Sequence, residues 1–301
     1  MKQIKKYIVK ILNKYLRHTE VYSRLESIQV KLNQTINLQQ LLIPEVLPFQ
    51  KKAERIFNQV NVNFNFSKTN LEISKNDLMF MFWLYQTGSV EVALTGYFKS
   101  GILQADCIRK FIETNFIGRN DIQILDFASG HGRVSRYFSN FISRNQVTVS
   151  DIKENAVNFQ NNIFNYNVFV APADPVLMPI LKKFDYIIVS SLFTHLNENL
   201  FSDWIRALGL ILNVNGVLAV SLHIIETGNA NEFRYSEKSE DDLFPETEES
   251  LGGKNIYGLT HITRDVYYSI LEKNLGSKYS VIDEQDWAGS QRLISIRKES
   301  A

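Results

Sequence analysis

The groups that could do chemistry are carboxylates and histidines, each placed at the end of an apolar run. Asp126 follows Ile124 and Leu125 and opens a small-residue turn, Ala128-Ser-Gly-His-Gly132, that leads into a helical pattern carrying Val134, Tyr137 and Phe138. Asp151 ends the next run, and Asp174 sits in Ala171-Pro-Ala-Asp174-Pro after a third. His195 and His223 stand just past two later runs. Carboxylates at strand ends accept hydrogen bonds from ribose hydroxyls and from amino groups. Histidine titrates near neutrality and can take a proton.

The turn narrows the ligand class. Gly130 and Gly132 permit backbone angles closed to other residues, and a helix beginning near His131 would aim free N–H groups over the turn. A nucleotide-like ligand is the expectation. A dinucleotide would lay its pyrophosphate on that helix, where Asp126 would repel it. S-adenosylmethionine has no phosphate, and its amino-acid end carries an ammonium that Asp126 can hold. The spacing Gly130-x-Gly132-x-x-Ser135 also departs from the dinucleotide fingerprint, which wants Gly or Ala at the third position. Asp151 is then placed for the ribose hydroxyls and Asp174 for the adenine amino group, with Leu177 and Met178 as ring contacts. The structural alternatives are a cap on the following helix for Asp151 and a turn carboxylate for Asp174. His131 fits packing over the ligand better than acting as a base.

Stepping outward from these residues, strands are expected at Val147 to Ile152, Asn167 to Ala171, Tyr186 to Ser190 and Val217 to Leu222. Helices are expected near Glu154 to Phe164, Asn197 to Leu212 and Arg264 to Leu275. This alternation predicts a parallel sheet with helices on both faces. A closing pair, Tyr279 to Asp286 and Leu293 to Arg297, has a connection short enough for antiparallel pairing. Before the turn, Ser74-Lys-Asn-Asp77 resembles a capping box for Leu78 to Tyr85. Glycine-marked breaks are expected at Gly88 and at Tyr97 to Gly101, with a helix from Ile102 to Phe116.

The chain of 301 residues, 45% hydrophobic, can build a substantial core. Its net charge of +1 supplies no general field for nucleic acid. The lone Cys107 excludes an internal disulfide and a cysteine zinc cage, and a cytoplasmic location is expected. From Ile4, the positions Ile8, Ile11, Tyr15, His18, Tyr22, Leu25, Gln29, Leu32 and Ile36 follow a 3.5 period. Lys2, Lys5, Lys6, Lys10, Lys14 and Arg17 flank its first turns. Homo-oligomerisation and peripheral membrane contact are the functional readings of this helix, and packing on its own domain is the structural one. One long irregular insertion, 226–257, is rich in acids.

Residues 121–223 resemble the class I S-adenosylmethionine-dependent methyltransferases, in particular a bacterial branch with a loop Asp-Phe-Gly-x-Gly-x-Gly-Arg-Val and a later Ser-Leu-x-Thr-His-Leu. Here these stand as Asp126-Phe-Ala-Ser-Gly-His-Gly-Arg-Val134 and Ser191-Leu-Phe-Thr-His-Leu196. The resemblance implies an α/β, Rossmann-like doubly wound seven-stranded sheet, order 3-2-1-4-5-7-6 with the seventh strand antiparallel, plus an N-terminal helical extension. It implies S-adenosyl-L-methionine as cofactor, held by Tyr97, Gly101, Asp126, Ala128, Gly130, Gly132, Arg133, Asp151, Ile152, Asp174, Ser190 and Ser191. Ala128 replaces the first loop glycine, which is tolerable where the backbone is ordinary. Weaker similarity reaches Tyr97 to Gly101, Tyr257-Gly258 and Trp287 to Gln291.

The expected organisation is an extension (1–75), a helical cap (76–120) and a methyltransferase core (121–301). The expected reaction is methyl transfer to an oxygen or nitrogen of a small-molecule or sugar-type acceptor, with no metal. His223 and His195 are the candidate bases, and His261 and Glu226 candidate acceptor contacts. Tyr97 is expected near the methionine end of the cofactor, and the insertion over the acceptor. The competing readings are a catalytically silent binding module working through its N-terminal helix and, below it, a nucleic-acid methyltransferase.

Overall fold

The computed structural model describes residues 55–57, 59–60, 62–180, 182–226, 231–237, 257–276 and 279–300. The 3.5-period seam with its lysines lies outside them, as does most of the acidic insertion. Nine strands occur among the described residues: β1 (Ile124–Phe127), β2 (Val147–Asp151), β3 (Asn167–Val170), β4 (Phe184–Val189), β5 (Leu212–Ile224), β6 (Phe233–Ser236), β7 (Leu259–Ile262), β8 (Tyr279–Asp286) and β9 (Gln291–Lys298). Five run parallel in the order β3-β2-β1-β4-β5. On the far side of β5 lies antiparallel β9, followed by β8. With β8 and β9 counted as sixth and seventh, this is the expected 3-2-1-4-5-7-6 order.

The central strands β1 and β4 are buried at every residue, as a sheet covered on both faces requires. Asp126, Ile188, Ala219 and Ser295 share one row across it. One face packs Ile124, Val149, Tyr186 and Ile188 against an aromatic layer that includes Phe57, Phe98 and Tyr137. The other packs Leu125, Phe127, Ile187 and Val220 against Trp204, Leu208 and Tyr267. The α-helices bounded within the described residues are α1 (Leu78–Thr87), α2 (Val90–Asn115), α3 (Glu154–Phe164), α4 (Glu198–Leu210) and α5 (Arg264–Leu275). No helix among the described residues is long and apolar enough to cross a membrane.

Three local expectations are corrected. The cap of α1 is Asp77, which accepts from Met79 N and Phe80 N, three residues after the Ser74 of the expected box. Tyr97 to Gly101 is no break but the interior of α2, which begins at Val90. Its glycines serve close approach: a Cβ on Gly96 would lie 2.6 Å from the Trp83 ring, and one on Gly101 would run into the Arg133 carbonyl oxygen. Third, no α-helix starts at His131. The chain there makes turns and then a 3-10 helix, Ser135–Asn140, so the turn does not lead directly into an α-helix.

The insertion adds a feature the seven-strand order lacks. β7 pairs in parallel with His223 and Ile224 of β5, beyond the end of β4, and β6 pairs with β7. Gly258 N and Thr260 N donate to the carbonyls of His195 and Thr194, both at 2.8 Å, and Thr260 Oγ1 donates to Leu196 O at 2.6 Å. The strand is thereby laid across the loop that follows β4.

Candidate active site

At the C-terminal ends of β1, β2 and β4 lies a cleft of about 1130 Å3 including its open mouth. Its floor is the turn after β1, from Asp126 through Arg133; one wall is Asp151, Ile152 and Lys153 after β2; another is Ser190, Ser191 and Leu192 after β4. Asp77, Leu78 and Met79 at the start of α1 approach from the N-terminal layer, and Tyr257 comes from the insertion.

The turn is built from left-handed residues: Ala128 has φ 58°, Gly130 56° and Gly132 78°. The Ala128 backbone is therefore not the ordinary one its methyl would suit, and strain is stored there. Gly130 has open space where a Cβ would stand, whereas a Cβ on Gly132 would lie 2.5 Å from Phe164 and 2.8 Å from Gln160. Gly130 thus faces the cleft and Gly132 faces α3. Gln160 clamps the turn, donating to Gly130 O at 2.8 Å and Ser129 Oγ at 2.7 Å while accepting from Ser135 Oγ at 2.6 Å. It stands with Ala156, Val157 and Phe164 on the buried face of α3, a polar residue on an apolar stripe that could have marked it.

Asp151 accepts from Gly130 N at 2.8 Å through one oxygen and from Lys153 N at 2.9 Å through the other. It bonds the N–H of Lys153, the residue at the N-cap of α3, and so is not itself the cap of that helix; a carboxylate still has further lone pairs for a ligand. Burial raises its pKa against those two backbone donors. Asp126 is 3% exposed. Burial pushes its carboxyl up to about 7, opposed by Ser135 and the charge of Arg133 and reinforced by that of Asp151. Arg133, also buried, donates to Ser100 Oγ at 3.0 Å. The cleft floor therefore carries a reluctant anion and a cation side by side.

Beyond β4 the chain turns sharply at Ser191, φ 66°, whose N–H donates to Ser221 Oγ at 2.7 Å. Ser191 Oγ donates to Gln291 Oε1 at 3.2 Å, and Ser190 Oγ accepts from Trp287 Nε1 at 3.0 Å. The weakly similar Trp287 to Gln291 segment thus props this wall.

Of the sequence-derived residues, Asp126, Ala128, Gly130, Arg133, Asp151, Ile152, Ser190 and Ser191 line the cleft. Four do not. Tyr97 is wholly buried in the N-terminal layer, donating to Asp77 Oδ2 and accepting from Arg136 Nη2 at 2.9 Å. Gly101 and Gly132 sit behind the turn. Asp174 is exposed and caps a 3-10 turn through Val176 N at 2.9 Å, the turn-carboxylate alternative, while Leu177 points to solvent. Residues not anticipated include Asp77, Leu78, Met79, Ser129, Lys153, Ala156, Leu192 and Tyr257.

The histidines divide. His131 lines the cleft, 4% exposed, with a lowered pKa from burial, and its Nε2 has no partner among the described residues. His195 contacts Gly258 O through Nδ1 at 2.8 Å and stacks on Tyr257 with centroids 4.4 Å apart. His223, half-buried, pairs through Nδ1 with Ser290 Oγ at 3.1 Å and stacks on His261 at 5.1 Å; burial, then the neighbouring imidazole, lowers its pKa. Neither His195 nor His223 lines the cleft. Glu226 is exposed and ion-paired to Arg264 at 2.7 Å.

No protein-family model matches the chain, and no curated protein matches it. Similar solved structures include a S-adenosylmethionine-dependent methyltransferase from Clostridium acetobutylicum, at 14% identity over 67% of this chain and 92% of that one, TM-score 0.45. Others are the magnesium protoporphyrin IX methyltransferase of Synechocystis (15%, 68% and 87%, TM-score 0.45) and the 1,6-didemethyltoxoflavin-N1-methyltransferase of Burkholderia thailandensis (15%, 65% and 78%, TM-score 0.47).

Proposed function

We propose that the protein transfers a methyl group from S-adenosylmethionine to an oxygen or nitrogen of a small-molecule or sugar-type acceptor. The observation that carries this reading is that Asp126 and Arg133 both line the cleft floor, one strand from Asp151. An ammonium suits Asp126, a carboxylate suits Arg133, and ribose hydroxyls suit Asp151. A pyrophosphate does not fit: Gly130 N is already bonded to Asp151, and Asp77, Asp126 and Asp151 all border the space.

When bound, S-adenosylmethionine supplies a methyl group activated by its sulfonium. What the chain contributes is position and exclusion of water. Asp126 and Arg133 fix the amino-acid end, Asp151 the ribose, and Ser190 to Leu192 border the side from which an acceptor enters. A hydroxyl acceptor must also lose a proton. His223 stands outside the cleft beside Gln291, the partner of Ser191, and is the proposed base for an acceptor seated beyond Ser191; burial and the neighbouring imidazole lower its pKa. His195 is held instead as a support for Tyr257.

Calorimetry with S-adenosylmethionine, S-adenosylhomocysteine and NAD tests the reading, and binding of NAD alone would sink it. Where cofactor binds, mass spectrometry of small molecules and glycans incubated with labelled cofactor should find a gain of one methylene. Cofactor binding without product from any fraction would favour the binding-module reading instead.

A further inference from the structure

One aromatic side chain of the cleft comes from outside the sheet-and-turn frame. Tyr257 lies just before β7, and it lines the same space as Asp151 and Lys153 after β2 and Ser190 and Leu192 after β4. Those segments follow strands on opposite sides of β1, so Tyr257 reaches across the strand from which the glycine turn leaves.

Its placement is set by the loop after β4. Leu196 and Tyr257 form an antiparallel bridge, Gly258 N donates to His195 O, and the His195 ring returns to Gly258 O through Nδ1. The same imidazole stacks on the phenol ring at an interplanar angle of 23°. A ring held by backbone at its base and by an imidazole against its plane is preorganised, with little rotamer freedom left to lose on binding. Burial, assisted by the charge of Asp151, raises the Tyr257 pKa, so its hydroxyl stays protonated near the ribose acid.

Accepting the S-adenosylmethionine reading above, we propose that Tyr257 is a positioning residue for the nucleoside half of the cofactor, with His195 fixing its ring. Tyr257 then completes the cofactor cavity. A planar apolar ring face suits a base or ribose.

The experiment titrates S-adenosylhomocysteine and 5′-methylthioadenosine, which lacks the amino-acid end, into the wild-type protein and its Tyr257→Ala, Tyr257→Leu and Tyr257→Phe variants. Tyr257→Ala should weaken both ligands about tenfold or more, whereas Tyr257→Phe, keeping the ring, should stay within about threefold of wild type. Tyr257→Leu fills similar volume without an aromatic face, so its loss of affinity carries the same test should the alanine variant fold poorly. Wild-type affinity in the alanine or leucine variant overturns the proposal. A loss confined to S-adenosylhomocysteine, with 5′-methylthioadenosine unaffected, overturns it too by moving Tyr257 to the amino-acid end. Failure of wild-type protein to bind S-adenosylhomocysteine is a separate result, against the cofactor reading itself.

Discussion

Asp126 must act as an anion in a place that resists one. Its carboxyl titrates at 3.8 in the ordinary case and at about 7 in the fold. Between those values the unfolded chain has released a proton that the folded chain keeps, so ligand-free stability should fall as pH rises through that window. The loss is on the order of 4 kcal/mol at most. Asp126→Asn should flatten this dependence in urea unfolding at about pH 5 and about pH 8; an unchanged slope would mean that another group titrates there. Affinity for S-adenosylhomocysteine should move the other way, rising with pH towards 8 as Asp126 ionises, and Asp126→Asn should abolish that rise. Ala128 offers a second test, because its left-handed φ of 58° strains a residue with a Cβ. Ala128→Gly removes roughly 1 to 2 kcal/mol of strain and loses roughly 0.4 to 1 kcal/mol through a looser unfolded chain, a net stabilisation of at most about 1.6 kcal/mol. A net destabilisation in urea would show that the strain is not there.

Among the elements, α2 does most to hold the turn. Gly101 brings it against the Arg133 carbonyl, Ser100 takes the Arg133 guanidinium, and Tyr97 sits between Asp77 and Arg136. Arg136 is 1% exposed, and it also donates to Gly132 O at 3.0 Å and Glu72 O at 3.1 Å. This buried network joins α1, α2 and the turn. Tyr97→Phe strands one arm of a buried guanidinium and leaves Asp77 a donor short, at about 1 to 3 kcal/mol of stability. Thermal unfolding should report that loss, while affinity for S-adenosylhomocysteine changes less than about threefold, an effect well under 1 kcal/mol. The reverse outcome would return Tyr97 to the ligand, where the sequence had put it.

For the molecule as a whole, the cleft is bordered by the N-terminal layer, the sheet and the insertion together. A ligand that binds there stabilises every part that must be assembled to form it. At a hundredfold excess over Kd, S-adenosylhomocysteine should add about 2.7 kcal/mol. For a chain of this size that is a rise in melting temperature of roughly 4 °C. A rise confined to one of two resolved transitions would show that the N-terminal layer unfolds apart from the sheet and does not close the site. The net charge of +1 makes this response depend on local charges, since no overall field supplements them.

Periodicity and punctuation located the seven-strand core and its helices but not β6 and β7: α3, α5 and β8 occur at the expected residues, because buried strands and amphipathic helices write their period into the chain. The carboxylates at the ends of β1 and β2 were legible for the same reason, since a polar residue closing an apolar run stands out. What only the tertiary structure decided were contacts across elements. Gly96 and Gly101 look like breaks until Trp83 and Arg133 are seen against them. Asp77 and Gln160 reach the cleft or its turn through packing distant in sequence, and Asp174 is turned away from it by its own cap. Tyr257 enters through strand pairing that the local pattern of the insertion does not encode. Local backbone preference is a property of neighbours along the chain, whereas a cleft wall is a property of neighbours in space.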